Sequence, residues 1–314
     1  MKKSIAICAL SFAALVSLFG RAMLQEREIT LRFKFTANQI RTYEARMNSE
    51  MKMQLLGYEV PPITMSTEGT MSQTEHITSV DKEGIATLSV TVKGRLKMET
   101  FGLPAGTEGK IPSEQEIPTM QLMLKVNPLG KVVEMKMKQQ SETTQQINPP
   151  NAYPTVSTSF LPQMQSGSWQ GLLLPEKPVR IGDSWDITTT IDLAMRERTA
   201  KVEIKGRARL ISFEKVDGRE CAVIETETEI PDIGELMSSV PFPAESTQAE
   251  VQSESKIWLD INDGLVVRSE TKSRVTIDFA IPVPTGEKIN MTMQGAFNQS
   301  QRLIKIAQAK PEGQ

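Results

Sequence analysis

Apolar side chains recur at every second position through most of this chain, the spacing that puts them on one face of a β-strand. Within 43–54, Tyr43, Ala45, Met47, Ser49, Met51 and Met53 fall on one side, and Arg46, Asn48, Glu50, Lys52 and Gln54 on the other. Leu88, Val90 and Val92 alternate with Ser89, Thr91 and Lys93, and Val133, Met135 and Met137 with Glu134, Lys136 and Lys138. Later, Val202, Ile204, Gly206, Ala208 and Leu210 oppose Glu203, Lys205, Arg207 and Arg209; Val275, Ile277, Phe279 and Ile281 oppose Thr276 and Asp278; Ile289, Met291 and Met293 oppose Asn290, Thr292 and Gln294. One apolar face and one wet face predicts antiparallel sheet, so the fold class is all-β with few short helices. Helical pattern is confined to 232–240, between Asp232 and Pro241, and to a weaker run at 163–174.

The pattern also repeats. A strand, a Val-Asp turn with glycine and a second strand occur around Val80, Asp81 and Gly84 and again around Val216, Asp217 and Gly218. The run 124–133, LKVNPLGKVV, matches 259–267, LDINDGLVV, at an offset of about 135 residues. A shared offset over separate hairpins argues for duplication of one unit, although hairpins share turn chemistry in any case. The expected organisation is a signal segment at 1–22, a β domain at 23–147, a proline-rich connector at 148–181, a second β domain at 182–307 and a disordered tail at 308–314. The connector carries Pro149, Pro150, Pro154, Pro162, Pro175 and Pro178, which resist central strands. Its Phe160, Trp169 and 172–174 point to packing on the domains. A second loop is expected at 101–118.

Lys2 and Lys3 precede an uncharged, mostly apolar run at 4–20, and Gly20-Arg21-Ala22 follows with small residues suited to cleavage after Ala22. The expectation is export to the periplasm or the extracellular space; the alternative is an uncleaved membrane anchor, for which 17 residues is short. Past it, no second apolar stretch is long enough to cross a bilayer as a helix, so the processed chain would be membrane-proximal without spanning. Cleavage would remove Lys2, Lys3 and Arg21, leaving a chain more acidic than its formal net charge of −2. No basic cluster suggests a nucleic-acid partner. Cys221 would be the sole remaining cysteine, so no internal disulfide can form and stability must come from burial.

Reactive side chains are scarce. The single histidine, His76, excludes multi-histidine metal sites and histidine triads, and reads as a strand histidine near the surface. Cys221, beside Ala222 and Val223, reads as a buried structural thiol. Glu225, Glu227 and Glu229 alternate along one strand as a solvated face. The turns at 81–84, 127–130 and 262–264 offer one or two oxygen ligands each, too few for calcium. No catalytic residue, metal site or cofactor is predicted, and the chain reads as a non-enzyme.

Methionine is the unusual feature, with 17 in the chain. Met51 with Met53, Met135 with Met137, and Met291 with Met293 are spaced to share a strand face. Such thioethers can fill a core, line an adaptable apolar cavity, or bind Cu(I); the copper reading lacks accompanying histidines or cysteines. Met51, Met53, Met135 and Met137 are the candidate residues for binding an apolar ligand.

The segment 174–185, LPEKPVRIGDSW, carries a Pro-Val-x-x-Gly-Asp-x-Trp phrase, and together with the Val-Asp-x-x-Gly turn and the Gly-x-Val-Val strand it resembles a group of exported bacterial β-rich proteins. That group is similar to the lipoprotein-localisation carriers. The resemblance spans roughly 28–306 and implies curved antiparallel sheets, here two similar sheets or half-barrels in tandem, open around an apolar cavity, with no catalytic residues. The first half lacks the Gly-Asp-x-Trp phrase, with Thr42-Tyr43-Glu44 in its place. Gly182-Asp183-Ser184-Trp185 is expected to be a turn feeding a strand anchored by Trp185. Two functions follow: a cell-envelope protein holding a lipid or other apolar ligand, or a structural module that binds an envelope protein along a strand edge with no small ligand.

Overall fold

A computed structural model describes residues 27–102, 114–138, 172–195, 198–230, 245–282 and 288–309. Eleven strands run through these residues: β1 Gln39–Leu55, β2 Ile63–Val80, β3 Ala86–Phe101, β4 Glu114–Val126, β5 Val132–Lys138, β6 Ser184–Met195, β7 Arg198–Val216, β8 Arg219–Ile230, β9 Glu245–Asp260, β10 Leu265–Pro282 and β11 Lys288–Gln308. The segment 1–22, the helix expected at 232–240, most of that expected at 163–174, and the connector residues before 172 lie outside the described residues.

All strands join one antiparallel sheet in the order β5-β4-β3-β2-β1-β11-β10-β9-β8-β7-β6. The all-β class and the alternating faces are therefore as the pattern predicts. The two halves lie in tandem as arms of this sheet, β1 to β5 and β6 to β10 in the same sense, with β11 between β1 and β10. The junction is long: β1 pairs with β11 from Gln39 opposite Gln308 to Leu55 opposite Met291.

The sheet is curled. Leu88 on β3 and Ile224 on β8 belong to one buried cluster, yet they lie six strand positions apart, about 29 Å in a flat sheet at about 4.8 Å per strand. The edge strands β5 and β6 come near one another without pairing. Curling needs local relief, and Gly94 on β3 supplies some of it. It sits at a break in register with β4, and a Cβ there would lie 2.8 Å from the Thr70 carbonyl oxygen and 2.9 Å from the Met71 side chain.

Tight turns gather at one end of the sheet, the base. Asp81 Oδ1 accepts from the amides of Glu83 and Ile85, and Asn127 Oδ1 from those of Leu129 and Lys131, all at 2.9–3.0 Å. Asp260 Oδ1 does the same for Asn262 and Asp263. The oxygen-bearing turns thus spend those side chains on their own backbone. Two coil segments, 27–38 and 172–183, close the base. The Phe33 amide bonds the Pro128 carbonyl, Lys34 that of Gly264, Leu174 that of Leu129, and Ile29 and Val179 bond each other. Leu31, Phe33, Leu172, Leu174 and Val179 are buried there, so this part of the connector is packed on the strands.

The 182–185 turn is as expected. Gly182 has φ +98°, Asp183 Oδ2 accepts the Arg180 amide at 2.8 Å, and Trp185 Nε1 donates to the Leu173 carbonyl at 2.6 Å. Two local expectations are corrected. The loop expected at 101–118 is shorter, because β4 begins at Glu114 and pairs Glu114 with Lys97 and Glu116 with Arg95. Val133 does not share a face with Met135: a register shift beside Val126 turns Val132 inward and leaves Val133 exposed.

Candidate functional site

The candidate site is the concave face of the sheet, and it is layered. Nearest the base lies the large apolar cluster that includes Ile77, Leu88, Leu124, Leu210, Ile224 and Leu259, sealed from below by the coil segments. Toward the far end a second apolar cluster is built from Met51, Val251, Val275, Ile277, Met293 and Phe297, with Met53, Met65, Met135, Ile204, Ile230 and Phe279 packed on it. The long β1, β2, β10 and β11 carry much of it, and β5 and β7, near opposite ends of the strand order, contribute Met135 and Ile204.

Methionine pairs come from the register. Met53 stands opposite Met293 on one side, and Met51 stands opposite Met65 on the other and opposite Gly295 on β11. Gly295 is needed there because the Phe297 ring folds back over it, 2.9 Å from where a Cβ would be. Met51, Met53 and Met135 are thus brought together in one cluster. Met137 pairs with Leu122, and its side chain lies outside the described residues.

On β8 to β11 a polar belt runs between the two apolar layers. Gln299 on β11, Thr271 on β10, Ser255 on β9 and Thr226 on β8 follow one another across the sheet in register. Ser255 and Thr271 hydroxyls are 3.0 Å apart, and those of Ser253 and Ser273 2.9 Å. On the other arm the inward positions include Arg41 and Tyr43 of β1 and Gln73 and Glu75 of β2, with Arg41 opposite Glu75 and Tyr43 opposite Gln73. All four are buried. Arg41 donates from Nε to Gln39 Oε1 at 2.7 Å and from Nη2 to the Lys34 carbonyl at 2.6 Å, and its guanidinium lies over the Phe35 ring. Gln73 Nε2 donates to Glu75 Oε1 at 2.8 Å.

Of these residues only Tyr43 is placed on an inward face by the sequence pattern above, although the signal for the others is present. Gln73 and Glu75 interrupt the inward series Met71, Ile77, and Gln299 and Gln301 continue the inward series Met291, Met293, Phe297. A polar side chain at an inward position is what alternation alone flags as exceptional.

Outside the concave face, Cys221 is fully buried, and burial, with Asp260 nearby, pushes its thiol up to about 11. It is poorly suited to nucleophilic work. Glu225, Glu227 and Glu229 are exposed and stand opposite Arg209, Arg207 and Lys205. A surface depression at the base is lined by Lys215, Arg219, Asp260 and Asp263, where Arg219 Nη1 donates to Asp260 Oδ2 at 2.7 Å and to Asp263 Oδ2 at 2.5 Å.

No family model and no curated protein matches this chain. Among solved structures, a lipovitellin described for its lipid–protein interactions is similar over 90% of this chain and 26% of its own length, at 10% identity and a TM-score of 0.39. The present chain therefore spans about a quarter of that protein. The hypothetical lipoprotein YmcC from Escherichia coli is similar over 90% of this chain and 95% of its own, at 11% identity and a TM-score of 0.23. An outer membrane channel from Pseudomonas putida F1 is similar over 87% and 97%, at 7% identity and a TM-score of 0.25. Scores this low leave the function to be argued from the residues of this chain.

Proposed function

We propose that this chain is an exported, non-catalytic protein of the cell envelope that holds a lipid-like apolar ligand on its concave face. The observation that carries this reading is the methionine-rich layer: Met51, Met53, Met65, Met135 and Met293 converge from β1, β2, β5 and β11. Methionine is flexible and polarizable, so a surface made of it can repack around chains of differing shape. The envelope setting rests on the charged start and apolar run of residues 2–20. Absence of chemistry is proposed from the reactive groups themselves: the buried thiol is held protonated and the lone histidine sits on a strand.

The reading is tested by native mass spectrometry of protein purified from its own host. Extractable lipid at defined stoichiometry supports it, and bare protein at every stage of a gentle purification counts against it. The alternative, an interaction module without a small ligand, draws on β4, whose Glu114–Met120 stretch lies beyond the reach of β5 pairing among the described residues. An unpaired strand edge can be extended by a partner chain. Recovery of an envelope protein with lipid-free material would favour that module.

A further inference from the structure

We propose that the polar belt recognises the head of the ligand, and that this head is small, uncharged and able both to donate and to accept a hydrogen bond: an alcohol or a primary amide at the end of an alkyl chain. The inference rests on the carrier reading above and adds the ligand class and its orientation, head toward the belt and chain along the methionines.

Two amides define the site. Gln73 on β2 and Gln301 on β11 flank β1 on either side, Gln73 opposite Tyr43 and Gln301 opposite Ala45, one inward position apart. Each is 3% exposed. Gln73 Oε1 and Gln301 Nε2 are buried with no hydrogen-bond partner among the described residues. An unmet buried donor or acceptor carries the full cost of its desolvation, and the pair presents an acceptor beside Tyr43 and a donor beside Ala45, on the two sides of β1. A hydroxyl or a carboxamide carries both the donor and the acceptor that these two groups call for.

The surrounding charges select against an anionic head. Arg41, the cation nearest in register, is committed to Gln39 and to the Lys34 carbonyl. The carboxyl group of Glu75 lies directly against Gln73, so a carboxylate or phosphate entering there would meet an acidic side chain with no uncommitted cation among the described belt residues. Above the belt, the next inward positions on β1 and β2 are Met47 and Met71, both buried, and the run continues to Met51 and Met53. From Ala45 to Met53 is about 26 Å of strand, enough to lay an alkyl chain along thioethers.

The test uses the full chain and a matched ten-carbon series displacing the neutral probe N-phenyl-1-naphthylamine at pH 8: decan-1-ol, decanamide, methyl decyl ether, decanoate and decylphosphocholine. Expected is displacement by the alcohol and the amide at about tenfold lower concentration than by the ether, as two net hydrogen bonds would give, with decanoate and decylphosphocholine no better than the ether. The paired variant Gln73→Leu, Gln301→Leu should bring the alcohol to the level of the ether and leave the ether unchanged. Equal displacement by all five compounds, as when ordered water alone satisfies the amides, overturns the head site and leaves the carrier reading standing. A head preference that survives the paired variant also overturns it. Failure of the wild-type chain to take up the probe or any of the series defeats the carrier reading, and this inference with it. The wild-type series decides the question even if the paired variant does not fold.

Discussion

The backbone amide of Phe33 donates to the carbonyl oxygen of Pro128 at 2.8 Å, and the next residue along, Lys34, donates to that of Gly264 at 2.9 Å. One dipeptide of the coil thereby joins the β4–β5 turn to the β9–β10 turn, one from each arm of the sheet. These are the two turns whose sequences match across the halves. Closure of the base thus depends on coil segments that have no regular structure of their own.

Gly130 marks how closely the coil passes. It has φ +86°, and a Cβ there would fall 2.4 Å from the Leu172 carbonyl oxygen and 2.7 Å from the Phe33 ring. Gly218 has nearly the same φ, +81°, with nothing within 4 Å. Gly218→Ala should therefore cost only the left-handed backbone penalty, about 1–2 kcal/mol, while Gly130→Ala should cost clearly more because coil and turn must separate. Urea unfolding of the two variants checks this, and equal costs would show that the coil does not press on the turn.

Removing the ring itself gives a second measure of the base. Phe33 is 4% exposed within the main apolar cluster, so Phe33→Ala should cost about 3–5 kcal/mol in urea or thermal unfolding. A loss below about 1 kcal/mol would mean the coil is peripheral to the fold.

Much of this architecture was legible because alternation with period two is a local property. The inward faces of β1, β7 and β11 follow from their sequences alone, as does the turn that Asp183 and Gly182 make before Trp185. What alternation cannot carry is pairing between distant strands, here β1 with β11, which merges two arms into one sheet. The same limit explains Val133: a bulge depends on the partner strand, and β5 read by itself keeps Val133 in phase with Met135. At the site, Met51, Met53 and Met135 were visible as spaced thioethers, whereas the belt needed the register that sets Gln73 and Gln301 on either side of β1.

Cys221 should behave as an occluded thiol. Burial raises it from the ordinary thiol range to about 11, so the unfolded chain loses this proton first as pH rises. The contribution to stability is therefore complete below about pH 9 and is lost on going through about pH 11. Cys221→Ala should flatten this part of the alkaline stability profile relative to the unsubstituted chain. Ellman's reagent should label the native thiol only at the rate at which the protein opens, and immediate labelling without denaturant would exclude the buried environment.

The methionine layer should tolerate change of shape and not loss of volume. Met293 is 2% exposed and faces Met53 across the β1–β11 pair. Met293→Leu keeps volume and should cost under about 1.5 kcal/mol, whereas Met293→Ala should cost about 2–5 kcal/mol. Ligand uptake separates the two roles of this layer: if flexibility is what matters, Met293→Leu should weaken binding of bulky chains while leaving the unfolding midpoint nearly unchanged. Unaltered uptake by a series of leucine replacements would reduce the thioethers to core filling.

Arg41 and Glu75 should prove energetically coupled. They stand opposite one another on the concave face, 3% and 0% exposed, where a charge that loses its counterpart cannot turn to water. Arg41→Met should therefore destabilise by about 1–3 kcal/mol, because it leaves Gln39 Oε1 and the Lys34 carbonyl without their buried donor and removes the cation opposite Glu75. Glu75→Gln should cost less, since an amide retains a group able to accept from Gln73. The double variant should cost less than the sum of the two, because removing both charges leaves neither buried alone. Urea unfolding of the wild type, both single variants and the double variant closes this cycle; strictly additive losses would mean that each side chain is balanced by other neighbours and that facing one another in register has no energetic consequence.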